Sequence, residues 1–168
     1  IDQNSRLAES YRAEGIAYYS EKAYPEAIAA FSRSLNNMDD PDKEFKKDVQ
    51  FYLAQARMDY GEVDKAIEVY SEILKAGEDE QAFFLRGKAY ISMEDYKNAE
   101  KDFQRALEGC EDYNLYINIY QIYVDHNKAV DGDAYLKMAL ELEPQDGEDC
   151  YHRGRIYEYE KNYEAARD

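Results

Sequence analysis

The chain has 168 residues, 45% apolar and 35% charged, enough for a buried core and too apolar for a disordered acidic tail. Its 21 Lys and Arg against 37 Asp and Glu give a formal net charge of −16, which argues against a nucleic-acid binder, since phosphate attachment needs clustered cations. No window reaches the run of about 18 apolar residues a membrane helix needs, and Cys110 and Cys150 make neither a disulfide framework nor a metal-ligand spacing.

In chain order, Tyr11, Gly15 and Tyr18 recur at helical spacing until Ala23-Tyr24-Pro25 interrupts. Pro25 suits the first turn of a new helix, where its missing N–H would lack a partner anyway. Ala27, Phe31 and Ser34-Leu35 form that helix's apolar stripe. Asp39-Asp40-Pro41-Asp42 reads as a cap and first turn that lengthen the third helix. Interhelical turns are expected at Tyr60-Gly61-Glu62, Met93-Glu94-Asp95, His126-Asn127-Lys128 and Glu160-Lys161-Asn162, and Pro144 ends the fourth helix pair. No stretch alternates with a period of two. The chain is expected to be all-α.

These elements repeat. A small residue followed three positions later by a large one gives Gly15 with Tyr18, Gly87 with Tyr90 and Gly154 with Tyr157; Ala54 with Arg57 and Tyr120 with Tyr123 hold the same places. Twelve residues on from each comes Ala27, Ala66, Ala99, Gly132 or Ala166, separated by steps of 39, 33, 33 and 34. Phe31, Tyr70, Phe103 and Leu136 follow four later. A Gly or Ala on one helix opposite an Ala on the next lets the two approach closely, with an aromatic one turn away filling the flank. One hairpin cannot bury its stripe alone, so each must stack on its neighbours.

The pattern resembles the tetratricopeptide repeat family, whose signature sets Gly, Tyr, Ala, Phe and Pro at fixed offsets in a 34-residue helix–turn–helix. The third repeat carries it most fully, with Phe83, Gly87, Ala89-Tyr90, Tyr96, Ala99, Phe103 and Ala106-Leu107. Tyr11, Phe83 and Tyr116 stand where the family commonly has Trp; Arg57 departs from an expected Tyr, and Tyr120 and Gly132 exchange sizes as a compensating pair. The resemblance implies a single right-handed α-solenoid over 1–168 with about five repeats, at 8–41, 47–80, 80–113, 113–146 and a partial 147–168. Tyrosines in the repeat columns (Tyr18, Tyr90, Tyr123, Tyr157; Tyr24, Tyr96, Tyr163) are expected to pack between helices.

In this family the first helix of each pair lines a concave face that takes a peptide or partner helix. The residues placed there are Arg12, Ile16, Tyr19, Tyr52, Gln55, Lys88, Asn118, Gln121 and Arg155. Gln55, Lys88, Asn118, Gln121 and Arg155 offer amide and cationic donors to a peptide backbone, while Phe51, Phe84 and Ile117 are expected mainly to pack one first helix on the next. Chaperone adaptors of this family grip a C-terminal carboxylate with Lys, Asn, Asn, Lys and Arg on three consecutive repeats. The matching positions here are Arg12, Ile16, Tyr52, Gln81 and Leu85; or Phe51, Gln55, Leu85, Asn114 and Asn118; or Phe84, Lys88, Asn118, Glu148 and His152. None supplies the cations, so a heat-shock-protein tail is not the expected ligand.

Catalysis, metals and cofactors are not expected. Asp39-Asp40 and Glu78-Asp79-Glu80 read as helix caps or solvated surface; His126 and His152 lack ligand partners at useful spacing. No phosphate loop or nucleophile elbow is present, and Cys110 and Cys150 read as small buried hydrophobes. The expectation is a non-enzymatic interaction scaffold or adaptor for a protein or peptide, basic or amphipathic because of the −16 charge. The alternatives are a regulatory or targeting segment of a larger enzyme or sensor, and a lipid-anchored extracytoplasmic assembly protein; self-association through an unfinished fifth repeat is a third. Opening at Ile1 and closing at Asp168 inside a helical pattern, the sequence reads as a soluble fragment, and the cytoplasm and an extracytoplasmic compartment both stay open.

Overall fold

Each stripe of apolar residues spaced three or four apart becomes a helix. The computed structural model describes residues 3–38 and 42–167, of which 3, 5 and 162–167 are described in backbone alone. The helices are α1 (Gln3–Ser20), α2 (Tyr24–Asn36), α3 (Lys43–Tyr60), α4 (Val63–Ala76), α5 (Glu80–Ser92), α6 (Tyr96–Ala106), α7 (Tyr113–Asp125), α8 (Ala129–Leu140) and α9 (Gly147–Arg167). Among the described residues all regular structure is helical. Asp39, Asp40, Pro41 and the side chains of Tyr163 and Ala166 lie outside what is described. Asp42 does cap α3, its carboxylate accepting from the Glu44 amide at 3.1 Å. Asp79, Asp112 and Asp146 cap α5, α7 and α9 in the same way.

The four hairpin turns share one conformation. Lys22, Gly61, Glu94 and Asn127 all have left-handed backbones, with φ of 60°, 90°, 59° and 58°. Around each, two amides return to the preceding helix: Ala23 to Tyr18 and Lys22 to Tyr19, Glu62 to Arg57 and Gly61 to Met58. Asp95 to Tyr90 with Glu94 to Ile91, and Lys128 to Tyr123 with Asn127 to Val124, complete the set. This Schellman closure satisfies carbonyls that the helix end leaves open. The fifth position in that series, Lys161, falls inside α9, which runs on through the turn expected at Glu160-Lys161-Asn162. A left-handed non-glycine residue costs about 1–2 kcal/mol, whereas a continuing helix gains a hydrogen bond per residue.

The chain forms two compact units, residues 1–102 and 103–168, with α6 spanning the boundary. In the first, α1 packs on α2, α2 on α3, α3 on α4 and α4 on α5. Ala27, Phe31, Leu53, Ala54, Ala66 and Tyr70 are buried at these contacts. The small column does the steric work expected of it: a Cβ on Gly15 would lie 2.6 Å from the Phe31 ring. Arg86 on α5 adds a polar tie, donating to both carboxylate oxygens of Asp102 at 2.7 and 2.8 Å and to Ser71 Oγ at 2.9 Å. In the second unit α7 packs on α8 and both contact α9. Tyr123 stacks on Tyr135 at 5.6 Å, and Phe103 meets Tyr135 edge-on at 6.0 Å.

The aromatic column behaves as packing residues in the first, third and fourth repeats, where Tyr18 and Tyr90 are half-buried and Tyr123 is buried. Tyr157 on α9 departs from this, at 46% exposure. Cys150, on the same face of α9, is exposed rather than buried, and Cys110 is half-buried. Where α7 turns Tyr116 and Tyr120 toward the core, the matching face of α9 holds Cys150 and an open Gly154 with nothing within 4 Å of its Cβ position.

Candidate interaction site

In the first unit, six of the residues expected on the concave face lie on α1 (Arg12, Ile16, Tyr19), α3 (Tyr52, Gln55) and α5 (Lys88). Their roles divide. Arg12 bonds Asp48 through Nε, and its guanidinium lies 5.5 Å over the Tyr52 ring and 5.9 Å over Phe45. Tyr52 in turn stacks on Phe31 at 5.5 Å. Arg12 and Tyr52 therefore join α1 to α3, and the ion pair itself, roughly a third exposed on the Arg12 side, adds little. Ile16 is partly buried against the core. Lys88 is exposed on α5.

Tyr19 and Gln55 come together around a residue that sequence reading passed over. The Tyr19 hydroxyl donates to one carboxylate oxygen of Asp59, and Gln55 Nε2 donates to the other at 3.1 Å. Tyr19 also meets Tyr24 edge-on at 5.8 Å. Burial first, and then the bond and charge of Asp59, push the Tyr19 hydroxyl up to about 12. Burial and the same carboxylate raise Tyr70 as well.

The second unit repeats part of this arrangement. Asn118 and Gln121 are exposed on α7, and Gln121 Nε2 donates to Asp125 at 2.9 Å. Arg155 on α9 donates to the Tyr159 hydroxyl at 3.1 Å with its guanidinium 5.9 Å over that ring; this bond raises its pKa. Tyr159 packs on Tyr120 at 5.5 Å. Gln55, Gln121 and Arg155 thus each spend one donor within their own helix, while Lys88 and Asn118 stand exposed. One signal for Asp59 and Asp125 was present in the sequence: Gln at one position and Asp four later, at matching places two repeats apart.

Phe51 lies 6.3 Å from the Tyr70 ring on α4, the second helix of its own pair, and Ile117 is buried. His152 is buried with Nε2 3.1 Å from Asn114 Nδ2, and His126 Nδ1 lies 2.8 Å from the Ile122 carbonyl. An open cleft of about 880 Å³, lined by none of the residues expected on the concave face, lies between the start of α3 and the end of α4. Charges of both signs line it, and Lys47 bridges Glu44 at 3.2 Å and Asp79 at 3.4 Å. Among the described residues no group of His, Cys, Asp and Glu is placed to hold a metal, and no helix is long and apolar enough to cross a membrane.

The tetratricopeptide repeat family pattern matches residues 80–112. Among solved structures, MamA from Desulfovibrio magneticus RS-1 is 18% identical over 83% of this chain and 76% of its own, with a TM-score of 0.65. A tetratricopeptide repeat protein from Parabacteroides merdae is 12% identical over 95% of this chain and 62% of its own, at 0.67. Kinesin-light-chain-like repeats from Podosopora anserina are 14% identical over 99% and 92%, at 0.66. At such identities the likeness carries the fold. No curated protein sequence matches the chain.

Proposed function

We propose that this chain, whose residues 80–112 match the tetratricopeptide repeat pattern and whose fold is that of tetratricopeptide-repeat structures, is a non-enzymatic adaptor that holds a peptide or helix against the first helices of its repeats. One observation carries this reading. On α1 and α3 the aromatics Tyr19 and Tyr52 are partly buried and the Gln55 amide bonds the same Asp59 carboxylate as Tyr19, while α5 carries the exposed Lys88. Such a face pairs apolar pockets with backbone-directed donors. A net charge of −16 favours a basic or amphipathic partner, whose association would weaken with salt. The cation-poor clamp positions count against a heat-shock-protein tail.

The test is affinity capture with the wild-type chain and a Gln55→Ala/Lys88→Ala/Gln121→Ala variant, with helicity checked by circular dichroism. A partner held by the wild type and lost by an equally helical variant is the expected result. Equal retention of that partner would remove the concave face from the account.

A further inference from the structure

Asp59 is poorly placed for its own helix. It lies in the last turn of α3, one residue before Tyr60 ends it and two before the left-handed Gly61. The carbonyl end of a helix disfavours an anion there. Matching positions on α1 and α5 hold the neutral Ser20 and Ser92, whose hydroxyls bond back to their own helices. Only α7 repeats the acid, with Gln121 one turn before Asp125 as Gln55 is before Asp59.

The carboxylate is nevertheless fixed. Its two oxygens each accept one hydrogen bond, from the Tyr19 hydroxyl and the Gln55 amide, and both donors are neutral. They orient the charge without cancelling it. Arg12, on the same helix as Tyr19, is engaged with Asp48 and the ring of Tyr52. Asp59 itself is exposed. Beside it, the Tyr19 and Tyr24 rings meet at 60° and 5.8 Å, and tyrosine π-faces attract cations. An oriented, uncompensated carboxylate next to aromatic rings, in a chain of charge −16, is built to receive a cation.

We propose that Asp59, held by Tyr19 and Gln55, anchors a lysine or arginine side chain of a basic polypeptide partner. The proposal rests on the adaptor reading above and names its contact. The incoming ammonium or guanidinium donates to lone pairs left free on the carboxylate, a charge-assisted bond, while its methylenes lie along the tyrosine rings. Gln55 and Tyr19 act as positioning residues.

The experiment is an NMR titration of the full chain with acetylated, amidated hexalysine, with hexaglutamate as the opposite-sign control. Asp59→Asn preserves an acceptor for Tyr19, and Glu68→Gln, an exposed acid on α4, removes the same charge elsewhere. Circular dichroism establishes that both variants keep their helicity. Saturable shifts at Tyr19 and the Gln55 amide with hexalysine alone, weakened about tenfold by Asp59→Asn and much less by Glu68→Gln, are expected from the loss of one charged hydrogen bond. Equal weakening by the two variants, or shifts that avoid Tyr19 and Gln55, would overturn the anchor. If hexalysine then still perturbs Tyr52 and Lys88, the adaptor reading survives without it; if the capture experiment fails as well, both fall.

Discussion

Gly132 on α8 is wedged against Tyr120 on α7. A Cβ added to the glycine would stand 3.2 Å from the Tyr120 ring, 3.3 Å from its carbonyl oxygen and 2.8 Å from Cβ of Tyr123. In the first repeat the small residue sits on the other helix, Gly15 on α1 meeting Phe31, which lies one turn after Ala27, the counterpart of Gly132. The exchange read from sequence is thus a real compensation, one pair of helices meeting closely with the small residue on the other side. Gly→Ala in a helix interior ordinarily gains about 0.5–1 kcal/mol. Here the main-chain oxygen and a neighbouring Cβ cannot swing away, so Gly132→Ala is expected to cost about 1–3 kcal/mol, as overpacking does. Gly154→Ala, in open space on α9, is the matched control and should show the ordinary gain. Urea unfolding of both variants decides it, and a stabilising Gly132→Ala would mean that α7 and α8 are not in this contact.

Arg86 and Asp102 hold the third helix pair by a fork of two hydrogen bonds, and the Asp102 side chain is 5% exposed. Ser71 extends the tie to α4. Attraction to Asp102 raises the Arg86 pKa, so the guanidinium keeps its charge throughout any accessible pH range. Asp102→Ala leaves a half-buried cation with a lone serine partner. Breaking a buried pair from one side costs about 3–5 kcal/mol, and the partial exposure of Arg86 places the expected loss near the lower end, about 3 kcal/mol. Arg86→Lys should also destabilise, because an ammonium cannot fill both carboxylate bonds. Thermal unfolding measures the loss, and faster amide exchange confined first to α5 and α6 would localise it.

How much of this could be read beforehand depends on how local each constraint is. The small columns were legible because close helix approach admits only Gly or Ala, and phase over five repeats amplifies that signal. The turns were legible in place but not in conformation. Gly61 announces its left-handed backbone and Asn127 tolerates it, but Lys22 and Glu94 adopt the same φ with side chains that ordinarily avoid it. Their Schellman hydrogen bonds and the packing of the following helix hold them there. Lys161 has the same phase and stays helical within α9, so the position alone does not make a turn. The site was less legible still. The tie of Arg12 to Asp48 is not legible because the two lie 36 residues apart, and Asp59 gives no local sign of its role because Tyr19 reaches it only when α1 stacks on α3, across 40 residues.

The Tyr19–Asp59 bond has a signature at high pH. Tyrosine is neutral below its pKa, and the folded chain raises Tyr19 from 10.0 to about 12. The folded state therefore holds that proton more tightly than the unfolded one. Its contribution to stability is complete below about pH 10 and is lost as pH rises through about 12. In an ultraviolet titration of tyrosine ionisation, Tyr19→Phe should remove one late-ionising group and leave the ordinary ones. Asp59→Asn should bring the Tyr19 midpoint down, since a neutral amide no longer repels the phenolate. Burial, the larger cause, should still keep it above 10. Tyr70 should move in the same direction, because it too lies in the field of Asp59. A Tyr19 midpoint indifferent to Asp59→Asn would show that the hydroxyl and carboxylate are not bonded in solution.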